Sequence, residues 1–147
     1  MIVYCDTSFL VSFFYEGDTN HKPARTLASR FDGEDFVLCQ THQLELPAAI
    51  RAATHRATSA VPEHIARLII NRFDRAWNGR MFVRRNLPLD ESINMARSLG
   101  EAHGWAKRHT GFDLWHLGAA WALGAGAFLS FDDRQKEICK ILSLRTA

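Results

Sequence analysis

The chain has 147 residues, 47% of them apolar and 23% charged, with a formal net charge of +2. That length suits one domain, residues 1–147, burying roughly 70% of its unfolded surface, and the balance excludes a disordered or low-complexity chain. There is no run of about 18 apolar residues and a strand pattern follows Met1 directly, so neither a signal peptide nor a membrane span is expected.

Ile2-Val3-Tyr4-Cys5 reads as a buried strand, and Asp6 follows it directly. Thr7-Ser8 supplies a cap for a short helix through Phe14. Gly17-Asp18-Thr19-Asn20 is a turn, and the helix expected over 21–31 tolerates Pro23 in its first turn. Phe36-Val37-Leu38-Cys39 is a second strand. Pro47 lacks an N–H and clashes with the carbonyl four residues earlier, so the next helix is expected to start no earlier than about Gln43 and to run to about Arg56. Glu45 then falls in its first turn, aimed back at the strand ends.

Ser59 and Pro62 open another helix, with Val61, Ile65, Leu68, Ile69, Phe73 and Trp77 on one stripe and Gly79 at its end. Met81-Phe82-Val83 is a short strand. Asp90 caps a helix to about Gly100 that uses Ile93, Ala96 and Leu99. Thr110 and Asp113 resemble a capping box with Asp in place of Glu, opening a helix to Leu123. Gly124 and Gly126 stop it before Ala127-Phe128-Leu129-Ser130-Phe131, a strand that Asp132 follows. A short helix over about 134–139 precedes the apolar tail Ile141-Leu142-Ser143-Leu144. Trp77, Trp105, Trp115 and Trp121 are expected in the core. Strands alternating with helices imply a parallel sheet covered on both faces.

In open parallel sheets, ligands bind outside the carboxyl ends of the strands. Asp6 and Asp132 stand just past two such ends, and Glu45 and Asp113 near the starts of helices that open at the same rim. Taken singly, each has a plain structural reading: a helix cap for Asp6, a dipole-favoured first-turn acid for Glu45, a capping partner for Asp113, a turn residue for Asp132. Together, acids without matching bases repel unless a cation joins them, and oxygen donors suit Mg²⁺ or Mn²⁺. Ser8 and Ser130 flank the acids and would hold a ligating oxygen or serve as caps. His116, one turn beyond Asp113, reads as a packed or helix-satisfying histidine. Asp133 adjoins Asp132 but points elsewhere.

Cys5, Cys39 and Cys139 lack paired spacing and read as reduced thiols of a cytoplasmic protein. No Cys-x-x-Cys or clustered His spacing marks a zinc site. Between Leu46 and Leu89 the sequence carries Arg51, Arg56, Arg67, Arg72, Arg75, Arg80, Arg84 and Arg85 against only Glu63 and Asp74. A polyanion partner would explain that excess, as would a solvated helix face or an acidic protein partner.

Asp6-Thr7-Ser8-Phe9-Leu10-Val11, Leu44-Glu45, Phe112-Asp113-Leu114-Trp115-His116 with Ala119-Ala120, and Ser130-Phe131-Asp132 together resemble the PIN-domain ribonucleases, and the short length is similar to the VapC-type toxins among them. Ser130 stands where Thr is more usual, and Pro47 follows Glu45 closely. The resemblance implies a three-layer α/β/α fold with a central, mostly parallel five-stranded sheet. It implies Mg²⁺- or Mn²⁺-dependent cleavage of single-stranded RNA, homodimerisation and neutralisation by a cognate antitoxin. On it, Asp6, Glu45, Asp113 and Asp132 would be the catalytic and metal-holding acids. Thr7, Ser8, Ser130 and His116 would support them, and Arg51, Arg67, Arg75, Arg84 and Arg85 would hold RNA or a partner. Two rivals remain: a phosphatase or receiver-like domain using Asp6 as nucleophile or phosphoacceptor, and a catalytically silent module that binds RNA or protein.

Overall fold

Strand β1 (Ile2–Cys5) begins a four-stranded sheet of order β3-β2-β1-β4, every pairing parallel. The structure, a computed structural model, describes residues 1–146. After β1 come α1 (Thr7–Phe14), α2 (His21–Ser29), β2 (Asp35–Leu38), α3 (Gln40–Ala53), α4 (Glu63–Asn78) and β3 (Val83–Arg84). The chain then returns across the sheet through α5 (Leu89–His103) and α6 (Gly111–Ala122) to β4 (Ala127–Leu129) and α7 (Asp133–Ile141). This is the expected three-layer arrangement.

Alternation along the strands sorts two cores. Val3, Cys5, Leu38, Ala127 and Leu129 point toward α1–α4, where Phe9, Leu46, Ile50, Ile69 and Phe73 meet them. Tyr4, Val37, Cys39 and Phe128 point the other way, onto Leu99, Leu117, Ala120 and Ile138 of α5–α7. Right-handed crossovers cause the split. The connections through β2 to β3 step one way along the sheet and lay their helices on one face. The connection to β4 steps the opposite way, so its helices cover the other face. Strand order therefore reverses between β1 and β4, and a crevice opens outside their carboxyl ends.

The expected fifth strand is reduced to one bridge. Phe128 N–H donates to the Arg145 carbonyl at 2.8 Å and Arg145 N–H to that of Gly126 at 3.0 Å. Ser143, at a φ of 56°, turns the chain just before this point, so only Arg145 joins the ladder. The tail containing Leu142 and Leu144 packs on the α5–α7 side.

Several expected boundaries move. α1 is capped by Asp6, whose carboxylate accepts from Phe9 N–H, and Thr7 is already helical. α3 starts at Gln40 and carries Pro47 inside it. Cys39 N–H donates to His42 Nδ1 at 3.0 Å, and His42 Nε2–H donates to the Cys5 carbonyl at 2.7 Å, so the first turn is anchored to β1. The carbonyl of Gln43, which Pro47 cannot serve, belongs to an exposed residue that water can reach. α4 buries Ala66, Ile69, Phe73 and Ala76, whereas Leu68 lies off that stripe at 53% exposed. α5 begins at Leu89, before Asp90, and buries Ser92, Ala96 and Leu99, leaving Ile93 exposed. Of the tryptophans, Trp77 and Trp115 are half-buried, while Trp105 at 87% and Trp121 at 46% stand in solvent. All three cysteines are free and buried, as expected. Among the described residues, no helix is long and apolar enough to cross a membrane.

Candidate active site

Asp6 leaves β1 at the point where the strand order reverses. Its N–H donates to the Leu129 carbonyl of β4 at 3.0 Å, which locks the two strand ends together. The side chain is 3% exposed. Ser8 Oγ donates to both its oxygens at 2.9 Å, Phe9 N–H to Oδ1 at 2.7 Å, and Ser130 Oγ to Oδ2 at 2.7 Å. Burial raises the pKa of this carboxyl, and the nearby His116 and these donors offset that only in part. Ser8 and Ser130 thus both donate to the Asp6 carboxylate, and Ser130 also accepts from Asp132 N–H at 2.9 Å.

Glu45 reaches the same crevice from the second turn of α3, not the first, because the helix starts early. His116 Nε2 and Thr7 Oγ1 both bond its Oε2, and Oε1 has no protein donor among the described residues. Partial burial would push the Glu45 carboxyl up, but the His116 hydrogen bond and charge, with Thr7, outweigh it and hold the pKa below the usual value. His116 is itself fixed from behind: its Nδ1 lies 2.9 Å from the hydroxyl of Tyr4, a fully buried residue of β1 whose pKa burial raises well above normal. That hydrogen bond fixes the ring with Nε2 facing the carboxylate. His116 is therefore more than a packed histidine. It joins β1, α6, α3 and α1.

Asp113 forms the expected capping box: Asp113 N–H donates to Thr110 Oγ1 at 3.1 Å, and Thr110 N–H donates to Asp113 Oδ2 at 2.8 Å. Its Oδ1 lies 3.4 Å from Gln135 Nε2. Asp132 caps α7, accepting from Arg134 N–H at 2.8 Å and from the Arg134 guanidinium at 2.6 and 3.0 Å. Those Arg134 hydrogen bonds lower its pKa. Asp133 points outward, with Lys136 at 3.6 Å.

All four acids line one cleft of about 390 Å³, together with Thr7, Ser8 and His116. Asp18 is a fifth carboxylate there, from the α1–α2 connection; it accepts from Ser12 Oγ at 3.0 Å and Asn20 N–H at 2.8 Å. Sequence reasoning treated it as a turn residue, and a turn acid carries no mark of the cleft it faces. Among the described residues, Arg56 is the one arginine lining the cleft. Among the described residues, no three His, Cys, Asp or Glu side chains are gathered closely enough to hold one metal ion. Each acid is instead tied to a protein donor. The donor chemistry nevertheless suits a hard cation. The cleft offers carboxylate and hydroxyl oxygens without a thiol, and Gln135, which also lines it, carries in Oε1 a buried acceptor with no donor.

The arginines separate. Arg51 is exposed near the end of α3, Arg67 is paired with Glu63, and Arg84 stacks over Trp77 at 5.8 Å. Arg85 is exposed, following β3. Only Arg75 of the five lines a second pocket, whose other arginines are Arg25, Arg72 and Arg80.

No curated protein sequence matches the chain significantly. Solved structures do. VapC20 of Mycobacterium tuberculosis, a sarcin-ricin loop cleaving toxin, superposes with a TM-score of 0.69 at 13% identity, covering 92% of this chain and 94% of its own. VapBC2 from Rickettsia felis, bound to a promoter DNA fragment, gives 0.63 at 14% over 100% and 98%. FitAcB from Neisseria gonorrhoeae gives 0.63 at 14% over 99% and 96%. At such identities the likeness establishes the fold. The sequence pattern of the PIN domain matches residues 3–141, from β1 through α7. With pattern and architecture agreeing over nearly its whole length, this chain belongs to the PIN domain family.

Proposed function

We propose that the chain, acting as one domain over residues 1–147, is a metal-dependent endoribonuclease that cleaves single-stranded RNA and serves as the toxin of a toxin–antitoxin pair. One observation carries the reading: Asp6, Glu45, Asp113 and Asp132, from four separate elements, line one cleft at the point where the sheet order reverses. Asp6, Glu45, Asp113 and Asp132 would hold Mg²⁺ or Mn²⁺, which when bound lowers the pKa of a water and takes up charge on the scissile phosphate.

The chain's own residues do the rest. Glu45, ionised and pinned through Oε2, keeps Oε1 open to orient the attacking water and accept its proton. Tyr4 and His116 hold that carboxylate in one rotamer, the second layer of support that such sites depend on. Asp6, a buried acid with a raised pKa, gains most from a cation beside it. Arg56 offers a positive charge to the phosphate backbone.

An antitoxin is the partner this reading implies, and neighbours of the same fold include VapBC assemblies from Rickettsia felis and Haemophilus influenzae. A segment carrying arginine would suit the acidic cleft. A homodimer in the cytoplasm completes the proposal. The test is cleavage of mixed RNA with Mg²⁺, Mn²⁺ or EDTA, comparing wild type with Asp6→Asn and Asp113→Asn. Cleavage is expected only with metal and only in wild type; activity that survives both substitutions overturns the mechanism.

A further inference from the structure

We infer that the arginine-lined pocket beside the acidic cleft binds a second nucleotide of the same single-stranded RNA, upstream or downstream of the phosphate being cut. This rests on the ribonuclease reading. The pocket, of about 490 Å³, falls within the roughly 300–1,000 Å³ typical of small-ligand sites. It is built from three stretches: the end of α1 and its connection to α2, the start of α2, and the end of α4 with the residues after it.

Its chemistry is that of a nucleotide. Phe13, Phe14 and Met81 give it an apolar wall, and Arg25 stacks over the Phe13 ring with its Cζ 4.5 Å from the centroid. Stacked guanidinium and phenyl planes accept a base face whatever its sequence. Arg72 is committed, donating to the Phe14 carbonyl at 3.2 Å and pairing with Glu16 at 3.1 Å. Arg25, Arg75 and Arg80 form no ion pair among the described residues. Three unpaired guanidiniums around an apolar wall suit phosphate oxygens flanking a base.

Position decides between RNA and an acidic peptide. The α1–α2 connection separates the two pockets: Tyr15, Asp18 and Asn20 line the acidic cleft, while Glu16 and His21 line the arginine pocket. His21 is tied across, its Nδ1 2.8 Å from the Ser12 carbonyl. A strand laid over this connection would enter both. An acidic peptide spanning both would meet Asp18, Glu45 and Asp132 with its own carboxylates. A nucleotide strand meets them at a phosphate whose charge a divalent cation neutralises, and meets the arginines on the other side of the connection.

The experiment measures binding of a short fluorescein-labelled single-stranded RNA to purified protein in Ca²⁺, which screens the acidic cleft, with a gel to show that the RNA stays uncut. Arg75→Ala/Arg80→Ala is compared with wild type and with Arg97→Ala/Lys140→Ala, which removes the same charge from exposed sites on α5 and α7. The pocket variant should bind about tenfold more weakly, with a salt slope shallower by about 1, as expected for losing one or two phosphate contacts. The control should match wild type, and circular dichroism melts should show all three folded. Equal losses in both variants, no loss in either, or no RNA binding by wild type overturns the proposal. So does a loss seen only for a poly-glutamate probe, which would make the pocket a protein-docking site. Cleavage with Mn²⁺ separates the two readings. Weakened binding in a protein that never cuts RNA sinks the nuclease reading and leaves the pocket. Intact binding by the variant of a protein that Asp6→Asn silences sinks the pocket and leaves the nuclease.

Discussion

His116 shows what a single buried side chain contributes. One nitrogen is occupied by Tyr4 and the other by Glu45, so the ring cannot rotate without breaking a buried hydrogen bond. Glu45 is then held from a strand and two helices beyond its own. Removing the ring should leave Glu45 free to swing and reduce RNA cleavage by about 10–100-fold, the usual loss when the group behind a site acid is deleted. His116→Ala tests this in single-turnover assays, with Tyr4→Phe expected to lose less because the imidazole remains. A nearly unchanged rate for His116→Ala would mean that Glu45 needs no such support. His42 offers a second case at this scale. Burial, then the neighbouring His116, lowers its pKa to about 3, and its two ring nitrogens serve Cys39 N–H and the Cys5 carbonyl as a neutral tautomer. Between pH 6.5 and about 3 the unfolded chain binds a proton there that the folded chain refuses. Its contribution to stability is therefore complete above pH 6.5 and is lost as pH falls, by roughly 1 kcal/mol for each pH unit. Urea denaturation at pH 7 and pH 5 should show that loss, and nitrogen chemical shifts of His42 in the folded protein should stay those of a neutral ring at pH 5.

At the scale of elements, close approach and capping set the geometry. A Cβ at Gly118 would collide with the Ser92 carbonyl and crowd Ala96, so α6 can cross α5 this closely only with glycine there. Gly118→Ala should destabilise the fold by about 1–3 kcal/mol, the range for overpacking a core, read as a shift in the urea midpoint. Local signals of this kind were legible. β1, β2 and β4, the Thr110–Asp113 box and the acids past the strand ends follow from short apolar runs and from residue types that cap helices, whereas β3 falls at Val83–Arg84 rather than over Met81–Val83. The start of α3 was not. Pro47 argues locally for a later start, and what overrides it is His42 bridging Cys39 to Cys5, a contact formed only once β1 and α3 are assembled. The Tyr4–His116 pair was hidden for the same reason: the face that Tyr4 presents depends on sheet register. The arginine pocket was hidden because Arg25 of α2 joins Arg72 and Arg75 of α4, far along the chain. Counting arginines over one segment grouped side chains that the fold disperses.

Across the whole molecule a small net charge conceals strong local fields. Asp6, Asp18, Glu45, Asp113 and Asp132 share one cleft, and the arginines gather on the other side of a single connection. Such a cleft costs stability when no cation is bound, and Asp6 carries the largest share because it alone of the four expected site acids is fully buried with a raised pKa. For a carboxyl whose folded pKa lies above its unfolded value, the favourable contribution is present below about pH 3.8, the unfolded value, and disappears as pH rises through the folded value. Near pH 8 the ionised Asp6 therefore opposes folding. Asp6→Asn keeps an oxygen for Phe9 N–H and an amide to meet Ser8 and Ser130, while removing the buried charge. In EDTA at pH 8 this variant should melt at or above the wild-type temperature, although it should cut no RNA. Adding Mn²⁺ should raise the melting temperature of wild type and leave the variant nearly where it was. A variant that melts well below wild type in EDTA would show that the Asp6 charge is held by its donors at no net cost. A cation would then relieve no burial cost at Asp6, and the cation-binding role of that carboxylate would fall.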